Sequence, residues 1–205
     1  MGVALTTYEV MDERAKMLGV LLDVFTEAKA PHCLIGGLAV GYHSRPRATV
    51  DVDFLISKRH SRRVASTIEE RGYVITKHQG MMRVYPPGAD SDQAEAIADL
   101  VEWEANPTLR EASRATEDAV VLGHPVRVVQ RGALVALKFQ AAVSQTRRIE
   151  DRYIDVGDIG RIMRTKFDAE DRALALRIAE CMHPGARDEL AQMMDDLGNN
   201  RPVKI

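Results

Sequence analysis

Only two cysteines, Cys33 and Cys181, occur in 205 residues. Both sit in apolar company, and so sparse a pair points to free thiols in a reducing compartment, not to a disulfide framework. No cysteine and histidine cluster has the spacing of a zinc site. No apolar run approaches the roughly 20 residues that a membrane-spanning helix needs, and the N-terminus lacks the basic-then-apolar pattern of a secretory signal. The expectation is a cytoplasmic protein without membrane association. The opening Met1-Gly2-Val3-Ala4-Leu5-Thr6 fits a loose acylation pattern, but nothing polybasic follows to make one acyl chain a stable anchor, so the match is read as coincidence. An excess of charge of one sign is missing too. Lysine and arginine number 28 against 30 acidic residues, a formal net charge of −2. That excludes a whole-protein electrostatic footprint for nucleic acid and leaves room only for a local patch.

What is present is an ordinary globular composition, 45% apolar and 28% charged, long enough for one domain or a compact core with a helical extension. The chain is organised around residues 33–57, CLIGGLAVGYHSRPRATVDVDFLIS. An apolar run ends in Gly36-Gly37, a helix-compatible segment follows, and Asp51 and Asp53 lie inside a second apolar run: strand, tight turn, helix, strand. Alternation sends Asp51 and Asp53 to one face of the second strand and Val50, Val52 and Phe54 to the other. Two like charges this close repel, and a divalent cation with oxygen ligands is the commonest compensation. The diglycine lets backbone approach a ligand closely and aims helix N-terminal amides at an anion, which suits a phosphate. The bland alternative is a solvated turn beside an acidic strand edge, but edge strands rarely alternate acid with such bulky apolar residues without a purpose.

Gly-Gly followed about a dozen residues later by Asp-x-Asp resembles the signature of the DNA polymerase β-like nucleotidyltransferase superfamily. With Arg47 and Thr49 just before Asp51, it is most similar to the small prokaryotic branch that includes AbiEii-type toxins and stand-alone nucleotidyltransferases. The resemblance implies an α+β fold (α/β-like core), a small mixed β-sheet with flanking helices and a C-terminal helical bundle. It divides the chain into a catalytic core over 1–130 and a helical region over 131–205 that completes the nucleotide cleft. It also implies two Mg²⁺ ions, with Mn²⁺ as an alternative, held by Asp51, Asp53 and a third carboxylate, and an NTP whose phosphates meet Gly36, Gly37, Arg47 and Thr49.

In chain order, apolar residues at three- and four-residue intervals predict an amphipathic helix over 7–29. Ser57 is expected to cap a helix through 71 with its side chain. Strands are predicted over 73–76 and 82–85, then a loop at 86–90. Asp99, in Ile97-Ala98-Asp99-Leu100-Val101, is a carboxylate inside an apolar strand and costly unless paired or ligating. By the resemblance it is the third carboxylate, which deprotonates or orients the attacking hydroxyl; Glu102 is the competing candidate. The segment 106–118 reads as a polar helix or a loop, without a clear apolar face. Residues 119–122 and 125–129 flank Gly123-His124 as a hairpin. From Arg131 to near Leu197 the chain reads as helical.

Within that region Lys138 interrupts an apolar helix, and Arg152-x-x-Asp155-x-x-Asp158 follows. In AbiEii-like families such a lysine contacts the triphosphate, the first aspartate lies near the nucleotide or its lysine, and the second helps hold the helix. A register based on Arg148-x-x-Asp151 would move the role from Asp155 to Asp151. The implied reaction is transfer of a nucleoside monophosphate from an NTP to an acceptor hydroxyl. Arg147, Arg148, Arg152, Arg161, Arg164 and Lys166 make 147–166 locally basic, which suits the end of a tRNA. The resemblance points the same way, to a toxin with a cognate antitoxin. An antibiotic acceptor of the aminoglycoside or lincosamide kind, favoured by acids such as Glu102 and Glu104, stays open, as does a low-activity nucleotide-binding module.

Overall fold

The computed structural model describes residues 7–46, 49 and 51–205. The acylation-like stretch 1–6 lies outside these residues, as do Arg47 and Val50. The described elements run α1 (Thr7–Ala28), β1 (His32–Leu34), α2 (Gly36–His43), β2 (Val52–Ile56), α3 (Lys58–Glu70), β3 (Val74–His78), β4 (Met81–Tyr85) and β5 (Ala98–Glu102). A 3₁₀ turn leads to α4 (Pro107–Arg114), β6 (Thr116–Val121), β7 (His124–Val129), α5 (Arg131–Val143), α6 (Ile149–Met163), α7 (Ala169–Ala179) and α8 (Ala186–Gly198). The strands form one mixed seven-stranded sheet in the order β3-β4-β5-β2-β1-β7-β6. The β2–β5 and β1–β7 pairs are parallel; the rest are antiparallel. This is the mixed α/β fold with flanking helices that the resemblance implies.

Strand β2 separates core from site. Val52 and Phe54 are fully buried, and Phe54 meets Phe25 of α1 edge-on at 4.9 Å. That is the arrangement aromatic quadrupoles prefer, added to the burial of two large apolar rings. The period-two alternation leaves Asp51 and Asp53 on the opposite face, where α2 and α5 lie. Helix α5 carries the buried Ala133, Leu134, Val135, Ala136 and Phe139 and packs against α6 and α7. It thereby fixes Lys138 against α6.

Three local expectations are corrected. Ser57 holds the cap position of α3, but its side chain does not cap. Glu104 does this, accepting the Lys58 N–H at 2.8 Å and the Ser57 hydroxyl at 3.2 Å. A carboxylate at a helix N-terminus is favoured by the dipole. The segment 106–118 does contain a helix with a buried face. Asn106 accepts the Leu109 N–H at 2.9 Å, Pro107 begins the first turn, and Thr108, Leu109 and Ala112 are buried. In eight residues that face is too short to register as a period. Strand β6 starts at Thr116 and ends at Val121; Leu122 and Gly123, both at positive φ, make the turn.

Candidate active site

The site begins at Gly36, where β1 gives way to α2. Gly36 has φ +63°, a conformation that L-residues other than glycine seldom adopt. A Cβ there would fall 1.7 Å from Asp53 Oδ2, and one at Gly37 would fall 2.3 Å from Thr49 Oγ1. The corner must therefore be glycine for Asp53 and Thr49 to close upon it. The Gly37 N–H donates to the Asp53 carboxylate. This ties the helix start to the acidic strand.

Asp53 and Asp99 are register partners on the parallel strands β2 and β5. Asp51, Asp53 and Asp99 each offer a carboxylate oxygen within 4.8 Å of the others, and they are the one such group of three among the described residues. The Thr49 hydroxyl donates to Asp51 Oδ1 at 3.2 Å. Burial, then repulsion from Asp51 and Asp99, pushes the Asp53 carboxyl up to about 7. Asp99 is also raised, by burial and by Asp51, against the opposing pull of Arg83 and Arg147. Asp99 Oδ1 is buried and accepts no hydrogen bond from a described residue. Three converging carboxylates, one with an oxygen that accepts no hydrogen bond, fit a hard divalent cation such as Mg²⁺ or Mn²⁺, whose charge would relieve the repulsion. Glu102 is not part of this group. Its backbone N–H binds the Gly80 carbonyl at 2.7 Å, and neither it nor Glu104 lines the cleft.

The three carboxylates and the glycine corner open into a cleft of about 580 Å³, whose other wall carries Lys138, Arg147, Arg148, Asp151 and Asp155. A larger groove of about 940 Å³ lies elsewhere, between α5, α8 and residues 202–205, away from the carboxylates. Lys138 Nζ is 2.8 Å from Asp155 Oδ1 and 2.9 Å from Asp158 Oδ2, all three side chains being 12% exposed or less. Burial pulls the amine's proton affinity down, but the two carboxylates outweigh it and the net shift is upward. The lysine's partner is thus Asp155, while Asp151 stands half-buried on the cleft wall.

The basic stretch 147–166 is less available than its composition suggests. Arg152 is buried, its Nε donating to the Ala142 carbonyl at 2.7 Å. Arg83, which no local pattern marks, faces Asp99 in the antiparallel register of β4 and β5, with Nε 3.6 Å from Asp99 Oδ1. Only strand pairing reveals it.

No known family profile and no curated protein matches the sequence. Among solved structures, the chain is similar to the antibiotic-resistance factor ANT(2'')-Ia, with a TM-score of 0.54 and 15% identity over 92% of this chain and 98% of that one. It is also similar to an antigenic nucleotidyltransferase-like protein from Paracoccidioides brasiliensis, with a TM-score of 0.52 and 16% identity over 90% of this chain and 93% of that one. These likenesses bear on the arrangement of strands and helices: the chain has the fold of nucleotidyltransferase-like proteins.

Proposed function

We propose that this protein is a metal-dependent nucleotidyltransferase that moves a nucleoside monophosphate from an NTP to an acceptor hydroxyl. The observation that carries the reading is the convergence of Asp51, Asp53 and Asp99 beside a glycine corner in an open cleft. Asp51, Asp53 and Asp99 would hold the divalent cations, whose positive charge would lower the acceptor hydroxyl's pKa and offset charge building on the phosphates. Asp99 orients the hydroxyl and takes its proton. The new bond joins the acceptor oxygen to the α-phosphorus, and the bond broken releases pyrophosphate with its electron pair. The Gly36-Gly37 corner, with Thr49 and, in the resemblance, Arg47, lies against the phosphates. Lys138 has two N–H donors committed to Asp155 and Asp158 and one left for a phosphate oxygen. On this reading the helical region 131–205 completes a cleft whose carboxylates belong to residues 1–130.

For the acceptor, we favour the end of a tRNA, in the manner of AbiEii-type toxins with a cognate antitoxin. Arg83, Arg147 and Arg148 at the cleft support an anionic acceptor, and the engagement of Glu104 in capping α3 removes one acid that a cationic antibiotic would use. The likeness in fold to an antibiotic-resistance factor favours the second reading, an antibiotic acceptor. Incubation with each labelled NTP and Mg²⁺, against total tRNA and an aminoglycoside and lincosamide panel, tests both. Label in tRNA supports the first and label in a drug the second. Nucleotide binding without transfer to any acceptor would reduce the protein to a binding module.

A further inference from the structure

The cleft contains a cation whose present contact is too weak to explain its position. Arg147 lies in the segment 144–148 between α5 and α6. Its Nη2 is 3.3 Å from Asp155 Oδ2 and its side chain is 46% exposed. The approach is an ion pair without a hydrogen bond, since the buried Asp155 Oδ2 accepts none from a described residue. Asp155 does not need Arg147 for charge, because Lys138 already meets its other oxygen at 2.8 Å. The charge of Arg147 is also felt at Asp99, so the guanidinium stands over the cleft between the third carboxylate and α6. Arg148, also on the cleft wall, pairs with Glu150 at 3.5 Å and is 79% exposed. Arg83 lies on β4, one strand beyond Asp99 from the glycine corner. Lys138, held between Asp155 and Asp158, keeps a single N–H donor for a phosphate oxygen and cannot grip two at once.

Building on the nucleotidyltransferase reading, we infer that Arg147 is the residue that reads the β- and γ-phosphates of the nucleotide. It leaves Asp155 Oδ2, while Asp155 keeps Lys138 in place, and closes on the phosphate oxygens as a forked donor. A planar guanidinium matches two phosphate oxygens at once, and such charge-assisted pairs are about twice as strong as neutral hydrogen bonds. The exchange replaces a loose contact by a bidentate one, and no bond is made or broken. Specificity for a triphosphate over a monophosphate then resides in one side chain outside the carboxylate cluster.

The test is equilibrium binding of the four α,β-methylene nucleoside triphosphates and the four monophosphates, with Mg²⁺, to the wild type, Arg147→Gln and Arg147→Lys. A lost charge-assisted contact corresponds to about 10- to 100-fold in affinity. Arg147→Gln is expected to lose that much for the preferred triphosphate and less than about twofold for the monophosphate, with Arg147→Lys between wild type and Gln. An equal loss for both ligands, or an unchanged triphosphate affinity in Arg147→Gln, overturns the assignment of Arg147 alone. A wild type that binds none of the eight overturns the nucleotidyltransferase reading with it. Arg147 is half-exposed and makes no hydrogen bond to Asp155, whose charge Lys138 already meets, so the variants should keep a thermal midpoint close to the wild type's.

Discussion

Asp53 and Asp99, far apart in the chain, are direct register neighbours on two parallel strands. Each makes the other's ionisation more costly. That pairing, with Asp51 alongside, concentrates negative charge where the sheet meets the glycine corner, and its consequences can be measured.

Burial first, then Asp51 and Asp99, raises the Asp53 carboxyl from 3.8 to about 7. Between about pH 4 and 7 the folded state holds a proton that the unfolded chain has released, so stability falls as pH rises through that window and stays reduced above it. Without divalent cation, the wild-type thermal midpoint should drop relative to Asp53→Asn from pH 5 to pH 7.5. Mg²⁺ at about 100 times its Kd should restore about 2.7 kcal/mol to the wild type and much less to Asp53→Asn. An upward drift of the wild type against the variant would contradict the assignment.

Asp99→Asn should lower Mg²⁺-dependent transfer of labelled nucleotide by at least about 100-fold, since it removes both a cation ligand and the hydroxyl's proton acceptor. Glu102→Gln, outside the carboxylate group, should leave the rate within about twofold. The reverse pattern would make Glu102 the third carboxylate.

Gly36→Ala places a methyl group where Asp53 Oδ2 stands, 1.7 Å away, and should abolish the Mg²⁺-induced rise in midpoint. Gly72 is the control. It too has positive φ, +83°, but nothing lies within 4 Å of its added Cβ. Gly72→Ala should cost only the left-handed backbone penalty of about 1–2 kcal/mol and keep the full Mg²⁺ response.

Lys138→Met leaves Asp155 and Asp158, 3% and 2% exposed, without the amine that lies between them. Breaking a buried ion pair by removing one partner costs about 3–5 kcal/mol. Urea unfolding should show this loss, and Lys138→Met with Asp155→Asn should recover part of it. A Lys138→Met variant as stable as wild type would mean that the cluster is not integral to the fold.

The chain alone made much of this legible. Glycines at 36 and 37, aspartates at 51 and 53 and their apolar neighbours carry strand periodicity and turn chemistry, which are local properties. Asp99 was visible as an acid among apolar residues for the same reason. The capping role of Glu104 was not visible, because its partner helix starts at Lys58 and nothing local couples the two. Nor did the basic run near 147–166 reveal that Arg152 turns inward while Arg147 faces the cleft. Arg147 stands in the segment before α6, whereas Arg152 lies on the helix itself, and packing of α6 against α5 decides which of its side chains turn inward.

By itself, the sequence determined the elements, the faces of β2 and the residue types able to bind a cation and a phosphate, since these follow from backbone sterics and side-chain alternation. Only the tertiary structure decided that Asp99 stands beside Asp53, that Arg83 stands opposite Asp99 and that Lys138 is held by two carboxylates. Strand pairing and helix packing join residues across long stretches of chain, and no local rule specifies which partners will meet.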